Sequence, residues 1–287
     1  MRILVTGAAG KTGQAVVGAL AKRGTAVRAL VRRHEQIEIV QDIGAVEVVV
    51  GDVLATAVWR QATQNIDTLY HICPNMHPQE VEIAEMGIAA AQRNGVSHFG
   101  YHSVLHPQTE AMSHHWCKLR VEEALFASGL PFTILQPAAY MQNILASWTA
   151  VVEDGLYRVP YPVSTPMSLV DLADVAEAAA IVLTQPGHSG AIYELVGPEI
   201  LTQTQMAEIM GAVLEREVTA VSQPLAEWQN NAQQNGLPPY AIDTLLRMFR
   251  YYAQHGFWGN SNILRWLLNR EPTMFAKFIK CWLQSAD

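Results

Sequence analysis

The chain is short of charge. Lys, Arg, Asp and Glu together make up 16% of its 287 residues, against roughly a quarter in typical soluble domains. Hydrophobic residues make up 50%, which excludes an intrinsically disordered chain, since disorder needs low hydrophobicity and high net charge. Positive charge is the scarcer sign, 19 Lys and Arg against 26 Asp and Glu for a net charge of −7. That balance argues against a protein that grips nucleic acid by its phosphates, which takes a basic surface. Long apolar runs are also missing. No stretch approaches the roughly 18 residues of a membrane span, so the apolar excess belongs to a core or a pocket. The three cysteines, Cys73, Cys117 and Cys281, are odd in number and far apart, which excludes a disulfide framework and a Cys-x-x-Cys pair. His71, Cys73 and His77, or His102, His106, His114 and His115, match no metal-ligand spacing, and no metal is expected. The N-terminus runs directly into an apolar stretch without a basic leader region or cleavage site, so the expected address is the cytoplasm.

What is present is an alternation. Short β-rich runs at 2–6, 26–31, 46–51, 68–72, 98–103 and 132–136 are separated by helical lengths at 12–22, 35–43, 54–63, 78–94 and 113–128. Six such alternations specify an α/β fold with a doubly wound parallel sheet covered by helices on both faces. Runs such as Ile3-Leu4-Val5 and Val48-Val49-Val50 are apolar on both sides, as burial of both sheet faces requires. Beyond Pro137 the rhythm breaks. Residues 155–165 read as irregular with room for a short strand, 171–184 as a helix capped by Asp171, 191–196 as a strand, 203–214 as a helix and 218–221 as a short strand. From Pro224 the chain reads as mostly helical and carries Trp228, Trp258, Trp266 and Trp282. The expected organisation is a nucleotide-binding domain over 1–150, to which 166–196 returns, and a smaller, mostly helical C-terminal domain over 151–287.

The strongest local signal is Thr6-Gly7-Ala8-Ala9-Gly10-Lys11-Thr12-Gly13, between the first strand and the first helix. Gly7 permits a tight turn, Gly10 lets the backbone approach a pyrophosphate, and Gly13 lets helix and strand pack closely. The helix start offers N–H groups and the positive end of its dipole to phosphate. At the end of the second strand, where an NAD site usually carries Asp or Glu, stand Arg32 and Arg33. Two guanidiniums suit a 2′-phosphate, so NADP(H) is expected ahead of NAD(H), although Glu35 follows closely. The plainer reading of the arginines is a solvated basic turn. Asp52 either accepts from an adenine amino group or caps the helix beginning near Leu54.

Taken together, these residues resemble the NmrA-like branch of the atypical short-chain dehydrogenases/reductases. The likeness is carried by the 6–13 loop, Val31-Arg32-Arg33, Gly51-Asp52, the run from Leu130 to Pro137, Tyr140-Met141-Gln142-Asn143, and Leu267-Leu268-Asn269-Arg270-Glu271-Pro272. The resemblance implies a Rossmann domain that binds NADP(H) and a C-terminal domain that closes a substrate cleft. It assigns Gly7, Gly10, Lys11, Thr12 and Gly13 to the phosphates and Arg32 to the 2′-phosphate. Asp52 and Val53 fall in the adenine pocket, and Cys73, Pro74 and Asn75 fall along the adenine-proximal ribose. Pro137 and Ala138 face the nicotinamide. Of the Ser and Tyr-x-x-x-Lys set that such enzymes use, Ser103 and Lys118 are present, with Lys118 also a ribose contact, but His114 stands in the Tyr position. Residues four apart share a helix face, so His114 and Lys118 can point the same way, and His is a competent acid near neutral pH. Tyr101, His102 and Tyr140 are further candidates nearby.

Tyr140, Met141, Trp148, Tyr157, Phe257 and Trp258 would suit a flat apolar substrate, although plain core packing is the simpler account of each. The resemblance thus implies an NADPH-dependent reductase of a small planar electrophile such as a quinone, an enone or an aromatic compound. Its rival is a non-catalytic NADP(H)-binding redox sensor that acts through a protein partner. The implied partner is otherwise a small molecule, with no direct nucleic acid and no membrane, and the chain is expected as a monomer or homodimer.

Overall fold

The structure is a computed structural model and describes residues 1–286. Strands and helices alternate as the sequence spacing predicts. They are β1 (Arg2–Val5), α1 (Lys11–Lys22), β2 (Ala26–Val31), α2 (Ile37–Ile43), β3 (Ala45–Val50), α3 (Thr56–Ala62), β4 (Thr68–His71), α4 (Glu80–Arg93), β5 (His98–His102), α5 (Ser113–Ala127) and β6 (Phe132–Pro137). The second half continues with β7 (Ala139–Tyr140), α6 (Trp148–Asp154), β8 (Leu156–Val159), β9 (Met167–Val170), α7 (Leu172–Thr184), β10 (Ala191–Leu195), β11 (Ile200–Leu201), α8 (Gln203–Leu214) and β12 (Thr219–Ser222). Four helices close the described chain: α9 (Leu225–Gln234), α10 (Pro239–His255), α11 (Asn262–Leu268) and α12 (Phe275–Ala286). Among the described residues no helix is long and apolar enough to cross a membrane.

The main sheet has seven strands in the order β3-β2-β1-β4-β5-β6-β10. The five pairings from β3 to β6 are parallel, with Ile3 opposite both Val27 and Thr68. The 3-2-1-4-5-6 succession is that of a Rossmann sheet, whose order reverses between β1 and β4. Ligands of such sheets bind at the carboxyl ends of the strands beside that reversal. Ile3, Leu4 and Val5 are fully buried, and all four residues of β4 are buried. Trp59 is the largest fully buried side chain, and its indole N–H is satisfied by the Val53 carbonyl at 2.7 Å. Leu4, Leu69, Ile83, Phe99, Tyr101, Val121 and Ile134 share its core.

The described chain divides into two compact units: 1–108, 115–136 and 175–193 form one, and 109–114, 137–174 and the residues from 194 on the other. The division falls at 136, against an expected 150, and the returning segment is 175–193, against an expected 166–196. Strand pairing gives the reason. β9 joins β7 and β11 in a separate three-stranded sheet, parallel to β7 and antiparallel to β11. Within the second unit Asp171 begins α7, its Oδ1 accepting the Ala173 N–H at 3.0 Å and the Gln142 amide at 2.7 Å. The Asn269-Arg270-Glu271-Pro272 run also acquires a structural role here. Buried Asp174 accepts from the Arg270 guanidinium at 2.7 Å and from the Thr273 N–H at 2.6 Å, so the motif anchors the C-terminal chain to the first turn of α7.

Candidate functional site

The loop between β1 and α1 is built as its glycines require. Gly7 adopts φ +60°, the left-handed region, and a Cβ there would lie 2.8 Å from the Ile72 carbonyl oxygen. A Cβ on Gly13 would lie 2.2 Å from the Gly7 oxygen and 2.6 Å from the Ala8 Cα, contacts that no side chain survives. Gly10 is the N-cap of α1, with no side-chain cap and no acidic residue in the first turn. Lys11 is exposed beside it. A helix start without a carboxylate leaves the positive end of its dipole unopposed, which suits an anion. Thr6 locks the loop to the end of β4. Its hydroxyl donates to the Ile72 carbonyl at 3.1 Å, accepts the Ile72 N–H at 2.9 Å, and lies 2.9 Å from His71 Nδ1.

At the end of β2 the backbone N–H groups of Arg32 and Arg33 both donate to the Gln36 side-chain oxygen at 3.0 Å. That clamp fixes the turn, and the three residues line an open hollow of about 500 Å³. The Arg32 side chain is 79% exposed and lies 3.7 Å from one Asp52 oxygen. The other Asp52 oxygen accepts the Leu54 N–H at 3.0 Å. Asp52 therefore shapes the turn before α3, which begins at Thr56 and not at Leu54, and leans toward the basic hollow. Val53 partly covers the core and offers its carbonyl to Trp59. Cys73 is buried just beyond β4, where burial first and the Glu80 charge second push its thiol pKa up, so it is inert as a nucleophile. Pro74 and Asn75 follow, both exposed.

Lys118 lies on α5, but it is no surface lysine. Its side chain is 7% exposed, its ammonium pairs with Glu80 Oε1 at 2.6 Å, and Glu80 itself is 1% exposed. The ammonium also donates to the His102 carbonyl at 3.1 Å and lies 5.3 Å from the centre of the Tyr101 ring. The Tyr101 hydroxyl donates to the same Glu80 oxygen at 3.2 Å. Burial first and the Glu80 charge second push the Tyr101 pKa well above its usual value. His102 is buried with Nδ1 2.6 Å from the Tyr70 hydroxyl. Burial and the Lys118 charge hold both His71 and His102 at about 3, so both imidazoles are neutral at ordinary pH.

Ser103 follows β5 and is buried. Its hydroxyl donates to Glu122 Oε1 at 2.5 Å, and the Gln136 amide donates to both Glu122 oxygens at 2.9 and 3.1 Å. Burial raises the Glu122 pKa, partly offset by the hydrogen bonds from Ser103 and Gln136 and by the Lys118 charge. Lys118 and Glu122 thus stand one helical turn apart, each tied to a different strand or helix. His114 is half-buried in the first turn of α5, four residues before Lys118.

In the second unit, Pro137 ends β6 and the Ala138 N–H donates to the Leu195 carbonyl at 3.0 Å. Tyr140 and Trp148 are half-buried. Met141 and Phe257 are core residues of that unit, 1% and 2% exposed. Phe257 packs on Tyr252 with ring centres 4.9 Å apart. Tyr157 is buried with its hydroxyl on Gln203 Oε1 at 3.2 Å. Trp258 is 52% exposed. The aromatic group therefore separates into packed residues and the more open Tyr140, Trp148 and Trp258.

A model of the NmrA-like family matches residues 1–278. The chain belongs to the NmrA-like family. Over 279 residues it is 28% identical to quinone oxidoreductase 2 of Escherichia coli, an alignment covering 96% of this chain and 97% of that one. Over 280 residues it is 26% identical to the NAD(P)H azoreductase of Xenophilus azovorans, covering 97% and 96%. The E. coli quinone oxidoreductase solved in complex with NADPH superposes with a TM-score of 0.87 at 27% identity, over 98% of this chain and 99% of that one.

Glu80 and Glu122 complete this buried cluster although neither belongs to a motif of the sequence. Glu80 opens α4, 38 positions from the lysine it holds, and nothing in the local pattern distinguishes it from the exposed Glu82 and Glu85. Glu122 did carry a signal. It lies four residues beyond Lys118 and so on the same helix face.

Proposed function

We propose that this protein is an NADPH-dependent reductase that delivers hydride to a small planar electrophile such as a quinone, an enone or an aromatic compound. The observation that carries the reading is the glycine cradle at the start of α1, with the Arg32–Arg33 hollow at the end of β2. Only hydrogen fits at Gly13, and the helix start it frames carries no carboxylate. Gly7, Gly10, Lys11, Thr12 and Gly13 would hold the pyrophosphate, and Arg32 and Arg33 the 2′-phosphate. Asp52 and Val53 would border the adenine, Cys73, Pro74 and Asn75 the nearer ribose, Lys118 the farther ribose, and Pro137 and Ala138 the nicotinamide. NADPH, when bound, supplies the hydride.

The electrophile class follows from which acids the chain withholds. The Tyr101 hydroxyl is committed to Glu80 and raised in pKa, and His102 is held at about 3. Tyr101 is thereby a weaker acid than a free phenol, and His102 carries no imidazolium proton at neutral pH. Ser103 directs its proton to Glu122, which leaves its lone pairs for a ligand donor. Lys118 keeps a positive charge near the strand ends, where it favours developing negative charge. Substrates that accept hydride without a strong acid beside them suit this arrangement. Whole-chain likeness to a quinone oxidoreductase and an azoreductase supports the same class. His114, half-buried at the start of α5, is the remaining imidazole of the candidate set. Tyr140, Met141, Trp148, Phe257 and Trp258 are the proposed substrate side, with the three more open side chains as the contacts. The reading includes a cytoplasmic address, a monomer or homodimer, and no direct nucleic-acid contact.

The test is to mix the purified protein with NADPH and a panel of quinones, enones and cationic dyes and follow absorbance at the nicotinamide band. Turnover with at least one class is expected. Tight NADPH binding with no turnover above background would overturn the reductase and favour a non-catalytic NADP(H) sensor.

A further inference from the structure

We infer that Glu80 is a positioning residue for cofactor binding: it holds the Lys118 ammonium so that one N–H is aimed at the dinucleotide. The inference rests on the reading of Lys118 as a cofactor contact. An ammonium has three N–H donors. One goes to Glu80 Oε1 at 2.6 Å and one to the His102 carbonyl at 3.1 Å. Among the described residues the third has no partner. The Tyr101 ring, 5.3 Å from the nitrogen at its centre, is a further neighbour of the ammonium. Lys118 is thereby held by a carboxylate, a carbonyl and an aromatic ring, a fixed mount for a side chain with four rotatable bonds.

Glu80 is suited to this by its own placement. It is the first residue of α4, where the helix dipole favours a carboxylate. Its Oε1 also receives the Tyr101 hydroxyl, so the carboxylate is anchored from β5 as well as from α5. His71 and His102 lie close and are neutral, so neither competes with Lys118 for the Glu80 charge. Without Glu80 the ammonium would be left buried with only neutral partners, the His102 carbonyl and the Tyr101 ring. With it, a ligand meets a preoriented donor and the side chain loses little rotamer freedom on binding.

The experiment is a double-mutant cycle read by calorimetric titration of NADPH into the wild type, E80Q, K118M and E80Q/K118M, with melting temperature measured on each. Glu80→Gln keeps shape and removes charge. Lys118→Met keeps the stem and removes the ammonium. The double variant carries no buried charge at either position and serves as the folded reference if E80Q alone is unstable. Each single variant is expected to weaken NADPH about tenfold or more, and the double to bind within about threefold of K118M. In steady state E80Q is expected to raise KM for NADPH about tenfold, and an unchanged KM for NADPH would count against the positioning role. Unchanged affinity in K118M would overturn the reading of Lys118 itself. Weakened K118M with unchanged E80Q would overturn only the role of Glu80. A double variant much weaker than K118M would show Glu80 acting through the fold and would also overturn it.

Discussion

Replacing Gly13 by Ala probes the phosphate cradle at its tightest point. The added Cβ would lie 2.2 Å from the Gly7 carbonyl oxygen, where ordinary contact begins near 3.4 Å, so 3.4 − 2.2 = 1.2 Å must be found. The atoms in the way are backbone atoms of Gly7 and Ala8, which cannot rotate aside. The loop must move relative to α1. Overpacking of this kind costs about 1–3 kcal/mol, and the better helix propensity of Ala returns about 1 kcal/mol. The net loss of stability is therefore modest, about 0–2 kcal/mol. Binding suffers as well, because the backbone N–H groups that would meet the phosphates move with the loop, and each 1.4 kcal/mol of lost contact is about tenfold in affinity. Gly18→Ala is the control on the same helix. Its Cβ would meet a single atom, Ile43 Cγ2 at 3.2 Å, the end of a side chain that can give. The assay is calorimetric titration with NADPH beside thermal melting of both variants. G13A is expected to bind about 10–100-fold more weakly while still folding, and G18A to bind as the wild type does. A G13A protein with wild-type affinity and stability would refute the cradle as a phosphate site.

Two further outcomes follow from named contacts. Arg32→Ala removes the 79% exposed guanidinium from the β2 hollow and should weaken NADPH by about tenfold or more while leaving NADH within about twofold; equal losses in parallel titrations would refute a 2′-phosphate role. Glu122 has its pKa raised by burial above the usual 4.5. A group raised in the folded state stabilises fully below its unfolded pKa and loses that contribution as pH rises through its folded one. Glu122→Gln should therefore raise the melting temperature relative to wild type above the Glu122 pKa, with the gain vanishing below about pH 4.5. A pH-independent difference in a melting series would contradict the assignment.

Much of the nucleotide-binding half was legible because its signals are local. The 2–13 segment contains strand, turn, cap and helix start within a dozen residues, each with its own steric requirement, and β1, Gly7, Gly10, Gly13 and α1 lie where those requirements put them. The sheet order follows from six alternations and the handedness of their crossovers. The pairings that tune the site are of another kind. Glu80 with Lys118 and Ser103 with Glu122 join residues 38 and 19 positions apart, and a sequence read for periodicity treats a helix Glu or Lys as solvated. Burial of those charges depends on how α4 and α5 meet β5, which no single segment records. The division at 137 was hidden for a similar reason. β6 reads as one more strand of the sheet, and only the pairing of β7 with β9 shows that the chain has left it. Met141 and Phe257 show the same limit, since an apolar side chain in a core and one lining a cleft look alike in sequence.

The central claim is hydride delivery, and isotope transfer tests it most directly. The protein is incubated with NADPH carrying two deuteriums at the nicotinamide C4, so that transfer from either face is labelled, and an enone or cationic triarylmethane dye, acceptors whose new C–H bond does not exchange with water. The reduced product is then analysed by mass spectrometry. The account predicts one deuterium per product molecule at the carbon that was electrophilic. A product carrying no deuterium, or no reduced product from any acceptor to which the protein is exposed with bound NADPH, would contradict it.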